Sequence, residues 1–364
     1  MMSPRRSQAQ PGPRSQSTVR MADVARAAGV STMTVSHAYN HPDRLAAATL
    51  TKVREAARKL NYYGPDPSAR SLSRGRTDSI AIVVGEGLLY AFSDPQSGQF
   101  LAGVASVCVE QRQSLSLLPV VGDVTDAARI RESPADAFIL WTGVNEGSLL
   151  DAIMSTGRPV AIQGAMPGSI APREQLHVVT IDDRQAARAV ARQTFTEASR
   201  PAVLSFELAA HQQPEVIVGP DLETIRFPGA RHRLMGFRDA CQDLGMDWSR
   251  VPVAVVSSND RRGAQGVVAT LLSRHRPDAV VAMSDQLALA VLDQAREELL
   301  EVPSELTVSG WDDSAQAVGA DLTSVHQDLR SQGIQCAELV LGLRDQVAES
   351  PWSLSLREST RRVR

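Results

Sequence analysis

The chain has 364 residues, enough for two or three folding units with a sizeable core, and its 43% hydrophobic and 22% charged residues are the proportions of a globular protein in water. No apolar run approaches the roughly 18 residues that a membrane span needs. The basic start Met1–Arg20 has no apolar h-region, and Cys108, Cys241 and Cys336 lie too far apart to all pair, so we expect no membrane partner, no zinc knuckle and a reducing, cytoplasmic compartment.

Charge divides the chain. Residues 1–76 hold thirteen Arg and Lys against four Asp and Glu, a net of +9; the remaining 288 hold twenty-five against thirty-seven, a net of −12. A small basic head on a large acidic body suits a polyanion-binding module joined to a body with another task, with ordinary solvated arginines as the plain alternative. Residues 1–18 are rich in Pro, Gln, Ser and Arg without apolar periodicity and read as a disordered basic tail. From about Thr18, Met21, Val24 and Ala28 recur at helical spacing, with Asp23 in the first turn. Gly29 breaks that helix and Ser31 caps a second, Thr32 to Tyr39, buried through Val35, Ala38 and Tyr39. A third, Ala47 to Leu60, repeats Leu50, Val53, Ala57 and Leu60. Two short helices about a glycine turn form a helix-turn-helix, the second shaped for the major groove. A generic helical bundle explains the apolar spacing but leaves Ser31, Thr32, Thr34, Ser36 and His37 on the second helix without a task. Beyond the breakers Gly64-Pro65-Asp66-Pro67, the stretch from Ser68 to Arg76 carries three arginines and one leucine, Leu72. It is an ordinary linker or a minor-groove element with Leu72 as a wedge.

From Asp78 short β-rich apolar runs alternate with amphipathic helices. The runs are Ile80 to Val84, Leu115 to Val121, Ala137 to Leu140 and Pro159 to Ile162; after Asp182 the rhythm repeats with Ala202–Phe206, Val253–Val256, Ala279–Ala282 and Leu306–Gly310. Such runs predict parallel sheets covered by helices on both faces, in two α/β lobes that face each other across a cleft. Ligands of open α/β sheets bind at the carboxyl ends of strands. Tyr90, Phe92 and Asp94 follow the first strand, Trp141 follows the third, and Asp285 follows Val281-Ala282-Met283-Ser284. Aromatic rings beside a carboxylate suit a sugar; for Trp141 a place in the core is an equal reading. The segment Glu207 to Ala230 contains an apolar stretch, Val216-Ile217-Val218, that fits an extra edge strand.

The run Met21-Ala22-Asp23-Val24-Ala25, Ala28-Gly29-Val30-Ser31, Thr34-Val35-Ser36, Asn40, Thr49, Val53, Ala56 and Ala69-Arg70-Ser71-Leu72 closely resembles the LacI/GalR family of bacterial transcription regulators, and the likeness extends from Thr18 to about residue 345. The resemblance implies a three-helix headpiece, a hinge helix and a two-lobed effector-binding core of the periplasmic-binding-protein type. It puts Thr32, Met33 and His37 on base edges, Ser31, Thr34 and Asn40 on phosphates or caps, and Ala69, Arg70 and Leu72 in the minor groove. In Ala230 to Phe237 it makes Arg233 an effector ligand; in Ser284 to Ala288 it gives Asp285 the effector hydroxyls; in Thr323 to Asp328 it puts Gln327 in the pocket. Asp312-Asp313 and Asp182-Asp183 are read as mainly structural. The implied division is a tail over 1–18, a headpiece over 19–66, a hinge over 67–77 and a core over 78–345. In that core the first lobe takes 78–180 and 322–345 and the second 181–321; residues 346–364 form a C-terminal extension.

Four departures from the family pattern matter. Many members have arginine where His37 stands, the junction Asn61 to Pro65 is one residue longer than the commonest spacing, Glu207 to Ala230 is longer than in many relatives, and Leu88 to Pro95 lacks the Asn-Pro-Phe of sugar-responsive members. Neither Gly-x-Ser-x-Gly nor His-Glu-x-x-His occurs, and no enzyme chemistry or cofactor is expected. The reading is a nucleoid-associated homodimer that binds palindromic operator DNA, a repressor under the control of a sugar-like effector. The alternative is a corepressor-dependent repressor or an activator that answers to a nucleobase, a nucleoside or another metabolite. A free-standing solute-binding protein would share the lobes but not the helix-turn-helix.

Overall fold

The computed structural model describes residues 19–64, 75–85, 92, 94–120, 123–141, 147–166, 175–209 and 212–361, in two compact units, residues 1–77 and 78–364. Expectations for the tail 1–18, for Ala69, Arg70 and Leu72 of the hinge, and for Tyr90 lie outside the described residues.

The first unit holds α1 (Met21–Ala28), α2 (Thr32–Asn40) and α3 (Ala47–Lys59). Their apolar stripes meet in one core of Val24, Ala28, Val35, Ala38, Val53 and Ala57, ringed by Met21, Tyr39, Leu50 and Leu60. Gly29 ends α1 at φ 61°, the left-handed conformation that turns the chain back at no steric cost. Ser31 then caps α2, its Oγ accepting from the Thr34 amide at 3.1 Å.

The second unit contains two sheets. In the first, β1 (Ser79–Val84), β2 (Ser114–Pro119), β3 (Ala137–Leu140), β4 (Val160–Gln163) and β5 (Leu176–Val179) run parallel in the order β2-β1-β3-β4-β5. Its helices are α4 (Pro95–Glu110), α5 (Asp126–Glu132) and α6 (Gly147–Met154). The second sheet has β6 (Pro201–Ser205), β7 (Glu215–Val218), β8 (Pro252–Val255), β9 (Ala279–Ala282), β10 (Thr307–Asp312), β11 (Thr323–Gln327) and β12 (Trp352–Ser355). Their order is β12-β11-β10-β9-β6-β8-β7, parallel except for the two edges, β7 and β12. Helices α7 (Asp183–Phe195), α8 (Pro228–Asp243), α9 (Arg261–His275), α10 (Asp285–Glu297) and α11 (Ala315–Gly319) accompany it. The central strands are buried on both faces, which is why they read as unbroken apolar runs.

Two expected boundaries are corrected. Residues 323–327 do not belong to the first lobe: β11 pairs with β10 in the second sheet, and the chain crosses only afterwards to α12 (Leu329–Val340), which packs on α4 and on the first sheet. Nor is 346–364 an appendage. β12 pairs antiparallel with β11, and beyond it the Ser359 amide donates to the Asp321 carbonyl while the Ser359 carbonyl accepts from the Val308 amide. The stretch Glu207 to Ala230 does supply the edge strand β7.

Two devices bring helices close together. On α7, Arg184 and Arg188 lie one turn apart and form two-bond pairs with Asp239 and Asp243 of α8; the shortest contact in each pair is 2.6 Å. Gly236 of α8 rests directly on the α7 backbone, where a Cβ would strike the Arg184 carbonyl. In the first lobe Gly103 of α4 and Gly333 of α12 face each other's backbone in the same way.

Candidate functional site

The headpiece presents one polar face. Thr32 and Met33 are exposed, Met33 at 68%, whereas Val35 and Ala38 of the same helix are buried. His37 lies half-exposed on that helix with the His41 ring edge-on at 6.1 Å, and Asn40 Nδ2 donates to Ser36 Oγ at 3.2 Å. Thr34 is tied to Ser31 by a hydroxyl–hydroxyl bond of 2.8 Å in addition to the cap. Ser31, Thr34 and Asn40 therefore order the helix, while Thr32 and Met33 are exposed and His37 half-exposed on it.

In the core, the arginine and carboxylates gather at the carboxyl ends of the second sheet. The close seating of α8 on α7 sets Arg233, one turn before Gly236, against Asp183 at the start of α7; Nε donates to Asp183 Oδ1 at 2.9 Å. Its NH1 donates to the Met283 carbonyl at 2.6 Å, and the guanidinium lies 3.9 Å above the Trp311 ring. An arginine fixed by a carboxylate, a carbonyl and an indole face is already ordered before any ligand arrives. Asp183 is thus the carboxylate partner of Arg233, and Asp182 caps α7 by accepting from the Gln185 amide.

Asp285, expected to take effector hydroxyls, is buried and bonded within the protein. It is 2% exposed, its Oδ2 accepts from the Ser314 amide at 2.7 Å and its Oδ1 from Ser324 Oγ at 2.7 Å. It braces the ends of β10 and β11 from inside. Asp312 is half-buried where the lobes meet: Gln96 of the first lobe donates to its carbonyl at 3.1 Å and Gln327 Nε2 to its Oδ1 at 2.8 Å. Its backbone holds φ 104°, a conformation that costs an L-residue energy and that clusters at functional sites. Asp313 follows at φ 52° and is wholly structural, bound by Arg357 at 2.5 Å, by Ser355 Oγ at 2.8 Å and by the His326 ring at 3.1 Å. The pair expected to be structural therefore divides, and Arg357, from the supposed extension, anchors the turn that displays Asp312.

Electrostatics separate these acids. Burial pushes Asp285 up to about 6, with donations from Ser314 and Ser324 opposing and the Asp313 charge adding. Dehydration raises Asp312 well above the usual carboxylate range, and the neighbouring Asp285 raises it further against the pull of Arg233 and Gln327. Against the penalty of burial, Arg357 and Ser355 hold Asp313 below its ordinary value. Raised carboxyls take up protons in the folded state that the unfolded chain has already released, so stability falls as pH rises between about 4 and 6. We expect the core to melt at higher temperature near pH 5 than near pH 7. Below about pH 4 the trend reverses as Asp260 and Asp313, held ionised by their partners, take protons. Calorimetric scans across this range check it; a melting temperature rising steadily from pH 5 to 7 would contradict it.

The remaining expected pocket residues separate. Trp141 is 8% exposed and packs edge-on against Phe100 at 4.2 Å in the first-lobe core, so it does not stack on a ligand. Asp94 caps α4, its Oδ2 accepting from the Ser97 amide at 2.8 Å, while its charge still acts on Asp312. Phe92 is 70% exposed. Gln327, expected in the pocket, is buried and is the partner of Asp312.

The geometry has counterparts among known proteins. Residues 20–65 match the family described as bacterial regulatory proteins, lacI family, and residues 216–360 match a periplasmic binding protein-like domain. A transcriptional regulator of the helix-turn-helix type from Mycobacterium tuberculosis is 31% identical over 340 residues, covering 91% of this chain and 92% of its own length. Among solved structures, a LacI-family regulator from Corynebacterium glutamicum superposes with TM-score 0.70 at 24% identity, over 94% of this chain and 98% of that one. The transcriptional regulator CelR in complex with cellobiose superposes with TM-score 0.64 at 25% identity, over 94% of this chain and 99% of that one.

Proposed function

The chain belongs to the lacI family of bacterial regulatory proteins, and from this premise we propose that it is a homodimeric repressor whose hold on a palindromic operator is set by a sugar-like effector bound between the lobes. As a family member it is a sequence-specific DNA-binding regulator; the sign of control and the ligand class are our reading.

One observation carries the ligand class. Arg233, laid on Trp311 and bonded to Asp183, acts on the same small volume as Asp312, which stands on a left-handed strand end. A fixed cation beside a carboxylate is what a polyol needs: hydroxyls that donate to Asp312 and accept from Arg233. The related CelR structure, named as a cellobiose complex, supports a saccharide. On the DNA side, Thr32, Met33 and His37 read bases, and a dyad of two headpieces doubles what one short helix can contact.

Calorimetric titration of a saccharide panel, with operator binding measured in parallel, tests the assignment. Asp312→Asn is expected to lose effector affinity by ten- to a hundredfold, about 1–3 kcal/mol, because a ligand hydroxyl then meets a weaker, neutral acceptor. Operator binding without ligand stays near wild type. Unchanged ligand affinity in this variant would remove Asp312 from the site.

A further inference from the structure

Three glutamines connect the lobes behind the site. Gln163 closes β4, Gln332 lies in the first turn of α12 and Gln327 closes β11; none is more than 8% exposed. Gln163 Nε2 donates to Gln332 Oε1 at 2.9 Å, Gln332 Nε2 to Gln327 Oε1 at 3.4 Å and Gln327 Nε2 to Asp312 Oδ1 at 2.8 Å. Every carboxamide thus donates in one direction, from the first lobe toward the second-lobe carboxylate, and the middle link crosses between lobes. At the far end Gln163 Oε1 is buried and has no hydrogen-bond partner within the described protein.

A carboxamide donates from one edge and accepts at the other, so in a chain each amide dictates the orientation of the next. A charged Asp312 can only accept, which obliges Gln327 to turn its NH2 toward it, Gln332 toward Gln327, and Gln163 toward Gln332. A protonated Asp312 can donate to Gln327 Oε1 and so permits all three to reverse, after which Gln163 offers N–H instead of C=O. We infer that Asp312 and these glutamines form one polarised relay, in which the charge of a second-lobe carboxylate decides the hydrogen-bonding character that Gln163 presents in the first lobe. The groups that bear on Asp312 are Arg233, which favours its charge, and Asp285 and Asp94, which oppose it. A cleft occupant that changes this balance is therefore registered in both lobes without any backbone movement. The inference rests on Asp312 being the cleft carboxylate, and its test uses no effector, so the ligand assignment and the relay can fail separately.

The full-length protein with glutamine side-chain amides labelled with nitrogen-15 is titrated from neutral to mildly acidic pH, and the three NH2 pairs are followed by NMR after assignment by single substitution. The expected result is one transition shared by Gln327, Gln332 and Gln163, absent in Asp312→Asn. In Gln332→Leu, Gln327 still titrates and Gln163 becomes flat; Gln332→Met is the second variant if the first does not fold. A Gln163 signal that stays still in the wild type while Gln327 moves overturns the relay. So does a Gln163 signal that still follows Asp312 across a broken middle link, since the effect is then through-space.

Discussion

Removal of residues 1–77 is expected to leave a folded core that has lost specific operator affinity by a factor of about 10³ or more, down to whatever non-specific attraction an acidic body retains. Among the described residues, the core's hydrophobic clusters, on both faces of both sheets, are made of core residues alone. The net charge of −12 on residues 77–364 repels the phosphate backbone, so loss of the +9 head changes the sign of the long-range term as well as removing the reading helix. Mobility shift with a selected palindrome, at two salt concentrations, measures both parts. The intact protein should weaken steeply with salt, and a core fragment that still prefers the palindrome would show that the specificity lies elsewhere.

Gly103→Val and Gly333→Val are expected to destabilise the first lobe by about 3 kcal/mol or more, the range in which overpacking and backbone displacement operate. A Cβ on Gly103 falls on the Arg330 carbonyl and 3.1 Å from the Ile334 amide; one on Gly333 falls on the Phe100 carbonyl and 3.2 Å from the Val104 amide. These are backbone atoms of two helices in contact and cannot step aside as a flexible side chain would. The control lies in the same helix: Gly98 has open space around its Cβ position, and Gly98→Ala is expected to be neutral or stabilising by about 0.4–1 kcal/mol. Urea unfolding of the three variants decides whether the helix crossing or glycine loss in general is responsible. Equal losses at Gly98 and Gly103 would refute the contact argument.

The parts of this fold most readily read from the amino-acid order were those governed by local periodicity. Ser31 before an apolar 3–4 spacing marks α2, and four-residue Val/Ile/Ala runs mark buried parallel strands. The site was less legible because its decisive features are not periodic. Asp285 and Asp312 both stand at strand ends, and that placement alone cannot tell a carboxylate turned inward onto Ser314 and Ser324 from one on a left-handed backbone at φ 104° that accepts from Gln327. Trp141 follows Phe138-Ile139-Leu140, and the period of two, which sets it with Ala137 and Ile139 in the helix-covered core, was the signal that it faces inward. The same alternation in Trp352-Ser353-Leu354-Ser355, with Trp352 and Leu354 packed on the second-lobe core, marks β12. Gln163 and Gln332 are 169 positions apart, and only the crossover of α12 makes them neighbours.

That crossover has a consequence for the order in which the protein is made. Each lobe is finished by late residues: α12 completes the first, and β12 with Ser359 and Thr360 completes the second. The headpiece, whose core needs nothing beyond Tyr62, leaves the ribosome about 300 residues earlier. At roughly 5–20 residues per second, the nascent chain carries a folded DNA-reading head for roughly 15 to 60 seconds before either lobe can close. A ribosome stalled in that interval, or a message cut short there, yields a head able to touch DNA with no part able to receive an instruction to let go.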